Sequence, residues 1–203
     1  MEQGVFASAG YDVAEYLLAL QPHEDLCDTI MQEKKIFAEK FDCPAALYNK
    51  PQVTLARFKQ HEMMEPHITR CLKNIATSLS SFKTELKGFG SFPSHTIYIS
   101  ITSKVQIMDI VKSIRASQKL MKLDDDNKPH FIADPYMQIA YKLLPWQYEK
   151  AWLEYEHKHF HGRFIASEIV LLKRKEGSRG YQPVEKFLFE NVNREIVQGS
   201  LFK

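Results

Sequence analysis

The 203-residue sequence has few cysteines, no long apolar run and almost no excess of charge. Its three cysteines include no CxxC pair, so they imply neither a disulfide framework nor a structural zinc site. No apolar run approaches the ~20 residues that cross a bilayer, and no basic flank precedes an apolar stretch as in a signal peptide. A net charge of +2 does not by itself indicate nucleic acid or an anionic membrane as a partner. We therefore expect a soluble, cytoplasmic protein.

Apolar residues make up 44% of the chain, which is enough to build a sizeable core. Their spacing changes repeatedly between the alternation typical of strands and the three-to-four-residue spacing typical of helices. Alternation or a short apolar run predicts strands at 16–20, 51–58, 82–86, 95–101, 136–143, 163–174 and 182–189. Spacing of three and four residues predicts helices from 23 to the proline at 44, and at 66–79, 105–120 and 145–157. The polar run at 124–129 is the clearest break.

The order strand, helix, strand, helix, strand occurs twice, and the junction lies near Pro93. We interpret this repeat as one bilobed domain made of two related halves. The predicted boundaries are an arm at 1–13, a domain at 14–190 with halves at about 14–92 and 93–190, and a tail at 191–203.

The second strand of each half carries polar residues on one face. They are Gln52 and Thr54 in the first half, and Tyr136 and Gln138 in the second. If the halves are related by pseudo-symmetry, these two strands come together at a central groove. The sequence therefore predicts these four residues as a candidate site.

Four segments of the chain are similar to those of a known family. They are PQVTLARF (51–58), GFGSF (88–92), PYMQIAYKL (135–143) and the hairpin formed by 167–172 and 181–187. Over about residues 14–190 the chain resembles the two-histidine phosphoesterases, the 2′-5′ RNA ligase-like (LigT-like) proteins. The resemblance implies an α+β fold with two pseudo-symmetric β/α halves and mainly antiparallel sheets around a central groove.

The same resemblance implies an altered active site. The family presents two His-x-Thr strands, whose histidines act as base and acid on a 2′,3′-cyclic or 2′-5′ phosphodiester. Here Gln52 and Tyr136 stand where the histidines belong, Gln138 stands where a threonine belongs, and Thr54 is retained. Imidazole exchanges protons near neutral pH, whereas an amide does not and a phenol is a poor base. The resemblance thus implies a site without the usual phosphodiesterase activity.

Three functions follow as hypotheses. The first is a degenerate site in which Gln52, Thr54, Tyr136 and Gln138 bind a nucleotide or an RNA-like phosphorylated ligand without cleaving it. The second is an active phosphodiesterase that uses Tyr136 as acid and His95 or a bound water as base. The third is a non-catalytic interaction module whose groove is filled by side chains such as Tyr98 or Tyr141. We expect no cofactor, no metal and no membrane partner, and the oligomeric state is left open.

Other histidines have simpler interpretations. Residues 67–69 spell a His-x-Thr, but helical spacing follows, so His67 is expected at a helix N-terminus. The run His157, His159 and His161 would align for zinc or copper only on one extended strand, and here it spans a predicted helix end.

Three further motifs are weak. Gly88 and Gly90 lack the third glycine of a dinucleotide fingerprint, so a strand end with permissive dihedrals is the better interpretation. The acidic run at 124–127 lacks the later glycine and glutamate of a calcium loop, which favours a solvated loop. The basic cluster at 173–175 either contacts RNA phosphates or is a solvated strand end.

Overall fold

The computed structural model describes residues 12–178 and 180–191, so most of the predicted arm and tail lie outside the described residues. The strands are β1 (Val13–Leu20), β2 (Val53–His61), β3 (Phe82–Phe92), β4 (Thr96–Ile101), β5 (His130–Phe131), β6 (Tyr136–Tyr141), β7 (His161–Ala166), β8 (Glu168–Lys175) and β9 (Gln182–Leu188). The helices are α1 (Glu24–Lys40), α2 (Glu65–Thr77), α3 (Lys104–Ile114), α4 (Gln118–Met121) and α5 (Pro145–Tyr155).

The described strands form one sheet in which every pair is antiparallel. The strand order is β7-β3-β4-β6-β2-β1-β8-β9, and the short β5 pairs with β2. At the centre, β6 and β2 meet through the single residue pair Val53 and Met137. Two four-stranded halves thus join at a narrow junction, which agrees with the predicted α+β fold of mainly antiparallel strands around a centre.

The two halves of the sequence do not each build one half of the sheet. Strand β3 pairs with β4 and β7, while β8 pairs with β1 and β9. The predicted division at about 92 therefore needs correction, because it cuts the hairpin of β3 and β4. Antiparallel strands joined by a tight turn pair with each other, and the turn at 93–95 is of this kind.

The single strand predicted at 163–174 is also wrong, because it is two strands. Strand β7 ends at Ala166 and pairs with β3, whereas β8 begins at Glu168 and pairs with β1. Ser167 separates them, and its carbonyl accepts a hydrogen bond from the Phe189 N–H at 2.8 Å. Apolar alternation continues across Ser167, so the pattern alone does not reveal that the chain changes partners there.

The main core lies on one face of the sheet, under the helices. Helix α1 contributes a buried stripe that includes Leu26, Ile30 and Phe37, as its spacing predicts. On the opposite face Leu17 packs with three residues of the C-terminal hairpin, namely Val170, Leu172 and Tyr181. Leu17 alternates along β1 with core residues, so the two clusters lie on opposite faces. Among the described residues, no helix is long and apolar enough to cross a bilayer.

Candidate functional site

The four residues predicted as a candidate site meet at the junction of β2 and β6. Val53 pairs with Met137, and both are fully buried in the core. Their chain neighbours point to the other face, because strand residues alternate. The antiparallel register sets Thr54 level with Tyr136 and Gln52 level with Gln138. Positions 52 and 136, which are far apart in sequence, therefore share one small area of the sheet.

A cavity of about 130 Å³ lies over this junction. It is lined by the four predicted residues and by three more, Arg57, His130 and Ile132. No carboxylate is among these lining residues. The cavity offers amide, hydroxyl, imidazole and guanidinium groups together, which is a set of hydrogen-bond donors suited to an oxyanion.

Two further cavities share lining residues with the first. A narrow one of about 40 Å³ is also bounded by Gln52, Thr54, Arg57 and Gln138, and it adds Leu17, Lys34, Asn49, Lys50 and Tyr181. A wider one of about 300 Å³ continues from Asn49, Lys50, Gln52 and Tyr181 to an apolar wall that includes Val170, Leu172 and Pro183. We call these three cavities, which share lining residues, the groove.

Arg57 reaches the groove because β2 is irregular. Strict alternation would place it with Val53 and Leu55, on the face opposite Gln52 and Thr54. The pairing of β1 with β2 shifts register between Leu18 and Ala19, so Leu55 is an extra residue on β2. A bulge of this kind turns the following side chains to the other face. The guanidinium therefore shares the groove face with Thr54, which strict alternation does not predict.

Three aromatic rings pack together beside the groove, and one of them, Tyr136, lines it; we call the three the aromatic wall. Tyr136 lies 5.0 Å from Tyr98 and 5.1 Å from Phe92, measured between ring centroids. Gly90 makes room for this packing, because a Cβ there would lie 2.6 Å from the Tyr98 ring. Burial raises the pKa of Tyr136, and the nearby Arg57 offsets this only in part. The phenol is therefore a neutral hydrogen-bond donor at physiological pH.

Glu15 on β1 anchors the cationic side of the groove. It accepts a hydrogen bond from Tyr181 at 2.6 Å, pairs with Arg174, and lies 3.5 Å from Arg57 Nε. Burial alone would raise the pKa of Glu15, but the hydrogen bonds and positive charges of these partners lower it overall. The ionised carboxylate thus holds Arg57 and Tyr181 in place beside the groove.

A sequence model of the 2′-5′ RNA ligase superfamily matches residues 22–178. The chain belongs to the 2′-5′ RNA ligase superfamily. No curated protein matches its sequence.

Solved structures share the fold of this superfamily member. Escherichia coli LigT complexed with 3′-AMP is 14% identical with a TM-score of 0.62, covering 88% of this chain and 99% of that one. TT0787 of Thermus thermophilus is 13% identical with a TM-score of 0.61, covering 87% and 98%. E. coli LigT complexed with NADP+ is 12% identical with a TM-score of 0.58, covering 88% and 99%. At these identities the likeness establishes the fold.

His95 does not line the groove of this superfamily member, so its predicted role as a base needs correction. It is exposed in the turn before β4, and its Nδ1 lies 2.6 Å from Thr96 Oγ1. The histidine at the groove is His130, on the short strand β5 that pairs with β2. The sequence carries no signal for it, because residues 124–129 are a polar loop and a two-residue strand is too short to show alternation.

The other weak motifs lie away from the groove of this superfamily member. His67 is in the first turn of α2, as predicted. His157 lies 3.2 Å from Glu156, and among the described residues no three histidine, cysteine or acidic side chains are grouped to hold a metal. Gly88 has a φ of +67°, but it lies inside β3 at a register shift rather than at the strand end. Asp124 accepts hydrogen bonds from its own loop.

Lys34 is, after Arg57 and His130, another groove residue that is not among the predicted site residues. It lies on α1, is 0% exposed, and lines the narrow cavity with Gln52, Thr54 and Gln138. A signal for it exists, since it falls four residues after Ile30 and three before Phe37, within the apolar stripe of the helix. A lysine at such a position is rarely fully buried without a partner.

Proposed function

We propose that this member of the 2′-5′ RNA ligase superfamily binds a nucleotide or another phosphorylated ligand in the groove without hydrolysing it by the two-histidine route. The observation that carries this proposal is the cavity at the β2–β6 junction. Gln52, Thr54, Tyr136 and Gln138 line it together with a guanidinium, and no carboxylate lines it that would repel a phosphate.

The chemistry of the lining residues favours binding over hydrolysis. Both amides and the threonine hydroxyl donate hydrogen bonds to phosphate oxygens, and the Arg57 charge adds attraction. A Gln52 amide neither accepts nor releases a proton at neutral pH. The raised pKa of Tyr136 makes this phenol a still weaker acid than a free tyrosine, and at neutral pH it has no phenolate to act as base. The two groups that the resemblance places at the histidine positions, Gln52 and Tyr136, are thus suited to hold a ligand.

The choice of ligand class rests on the aromatic wall and on the relatives. An aromatic ring beside a phosphate site offers a surface on which a base can stack, worth about 1–3 kcal/mol in nucleic-acid systems. Crystal structures of E. coli LigT are complexed with 3′-AMP, NADP+, ATP and phosphate. These ligands are therefore the probes with which to start.

A calorimetric titration of 3′-AMP tests the proposal. We expect saturable binding by the native chain, and its loss in the double variant Gln52→Ala, Tyr136→Ala. The exposed Gln106 on α3 provides a matched control, and Gln106→Ala should bind like the native chain. Incubation with a 2′,3′-cyclic nucleotide should give no product. Equal binding by the double variant and the native chain would refute the proposal.

Introducing the family residues tests the proposed reason for a lack of turnover. The triple variant Gln52→His, Tyr136→His, Gln138→Thr rebuilds both His-x-Thr motifs on strands that already meet. We expect it to gain measurable phosphodiesterase activity on a 2′,3′-cyclic nucleotide. A folded triple variant with no activity would mean that these positions are not the equivalents of the family histidines.

A second function has one observation in its favour, the presence of His130 in the same cavity as Tyr136. In a reassigned active site His130 would accept the proton of the attacking water, and the Tyr136 phenol would donate one to the leaving oxygen. This alternative requires turnover of a 2′,3′-cyclic nucleotide by pure native protein. Both His130→Gln and Tyr136→Phe should then abolish it, whereas the first proposal expects no turnover to abolish.

The third hypothesis, an interaction module, predicts a groove filled by side chains. Tyr98 instead packs against Phe92 and Tyr136, and a cavity of about 130 Å³ stays beside them. Tyr141 does not line this cavity. A ligand-binding groove is therefore the function that the geometry supports best.

A further inference from the structure

Lys34 lies where a hydrophobic side chain would be expected. Helix α1 packs against the sheet with Leu26, Ile30, Phe37 and Ala38, and Lys34 belongs to the same buried stripe. Its neighbour Lys35 is exposed, as helical lysines usually are. A full charge at 0% exposure loses its hydration, a cost that a protein normally offsets with a counter-ion.

No described carboxylate offsets this charge. Among residues 12–178 and 180–191, the one hydrogen-bond partner of the Lys34 ammonium is the Asn49 carbonyl, at 2.6 Å. An ammonium has three N–H donors, so two remain for something else. The side chain lines the narrow cavity of about 40 Å³, which Gln52, Thr54 and Gln138 also bound. The spare donors therefore lie beside the same groups that we propose for phosphate binding.

We propose that Lys34 is the buried cation of the ligand site, supplied by α1 and not by the motif strands, and that it holds the phosphate of the ligand in the narrow cavity. This inference rests on the proposed function and specifies its anion-binding residue. A bound phosphate oxygen would act as the missing counter-ion. Lys34 is then a binding residue retained in the stripe although an apolar residue there would stabilise the free protein.

The proposal has a pH signature. Burial lowers the pKa of Lys34 to about 8. The charged or titratable groups facing it across the narrow cavity are Lys50, Arg57 and Tyr181, and His130 lines the adjoining cavity. Arg57 stays charged, and burial raises the pKa of Tyr181, so that phenol stays neutral. Because only protonated Lys34 attracts an anion, affinity should be highest below pH ~8 and fall above it.

Sulfate is the appropriate probe, because its charge is constant over this range. We expect the native chain to bind sulfate with an affinity that falls by up to about tenfold per pH unit above pH ~8. Lys34→Met should lower the affinity at pH ~7 by at least about tenfold. The same variant should keep or raise the melting temperature, because an apolar side chain replaces a buried, uncompensated charge. The control Lys35→Met should behave like the native chain.

A second variant covers the case in which Lys34→Met does not fold. Lys34→Arg keeps the charge at every pH, so it should bind sulfate without the decline above pH ~8. Three results would overturn the proposal. They are no sulfate binding by the native chain, native sulfate affinity in Lys34→Met, or a pH dependence that Lys50→Met removes and Lys34→Arg retains.

The outcomes separate this inference from the proposed function. If Lys34→Met weakens sulfate binding but the Gln52→Ala, Tyr136→Ala variant binds 3′-AMP normally, the Lys34 site stands and the proposed nucleotide site fails. If the double variant loses 3′-AMP binding while Lys34→Met keeps native sulfate affinity, the proposed nucleotide site stands and the Lys34 site fails.

Discussion

Two basic regions of the molecule, the C-terminal hairpin and the groove, differ in whether carboxylates pair with their positive charges. In the C-terminal hairpin, Lys173 lies 2.8 Å from Glu65, Lys175 lies 3.2 Å from Glu62, and Arg174 pairs with Glu15. In the groove, Lys34 and Lys50 have no carboxylate partner among the described residues, and Arg57 shares Glu15 with Arg174. The hairpin cluster is the conspicuous one in the sequence, yet its charges are already neutralised.

This difference shows that the counter-ion, and not the number of basic residues, identifies an anion site. Cations that are paired within the protein have little attraction left for a phosphate. The predicted alternative that residues 173–175 contact RNA is therefore disfavoured by their ion pairs. The groove instead holds two lysines without a described carboxylate partner, Lys34 and Lys50, and a guanidinium, Arg57, that shares its carboxylate with Arg174. Lys186, at the far wall of the wide cavity, is paired with Glu168.

Removing the groove guanidinium should have the largest effect on binding. We expect Arg57→Met to weaken 3′-AMP binding by about tenfold to a hundredfold, because a hydrogen bond to a charged group is worth about 1.5–3 kcal/mol. Isothermal titration calorimetry measures this. Lys173→Met is the control, and its affinity should stay within about twofold of the native value. If Lys173→Met weakens binding more than Arg57→Met does, our assignment of the two regions is reversed.

Removing the Glu15 carboxylate, which Arg57 and Arg174 share, should lower the stability of the fold. Glu15→Gln loses charged partners on both regions, and we expect a loss of about 1–3 kcal/mol in the free energy of unfolding near pH 7. The pKa of Glu15 is lowered in the folded state, so its contribution is complete above the ordinary carboxyl pKa and disappears as the pH falls through the lowered value.

Urea unfolding of both chains over an acidic pH series checks this sign. The difference in the free energy of unfolding between the native chain and Glu15→Gln should become smaller as the pH falls below ~4. A difference that is constant with pH would show that the ionised form of Glu15 contributes nothing.

Removing one exposed hairpin charge should have the smallest effect. The Lys175 side chain is 63% exposed, so solvent screens its pair with Glu62, whose own side chain is 21% exposed. Since exposed ion pairs contribute about 0–1 kcal/mol, Lys175→Met should barely change the melting temperature or the 3′-AMP affinity. Differential scanning fluorimetry with and without 3′-AMP measures both. A lost ligand shift in this variant would place the anion at the hairpin.

Most of the fold follows from the sequence because period and breakers mark its elements. The alternation at 51–58 and 136–143 and the helical spacing after His23 and Pro66 correspond to β2, β6, α1 and α2. The change of partner at Ser167 does not follow, because alternation says nothing about which strand a segment pairs with. Strand pairing depends on contacts between residues far apart in the chain.

The residues of the groove are harder to predict from the sequence, because several of them reach it through irregularities of the strands. The four motif positions follow from the polar faces of two strands. Arg57 requires a bulge at Leu55, and His130 requires a two-residue strand, neither of which leaves a periodic signal. Lys34 does leave one, a charge within an apolar stripe. A search for charges at core positions of predicted helices would find it.

A crystal structure of the native chain grown with sulfate would show where an oxyanion binds. We predict an oxyanion in the groove, within hydrogen-bond distance of Thr54 and Gln138 and of the Lys34 ammonium. An oxyanion bound instead by Lys173 and Lys175, with the groove empty, would contradict the account.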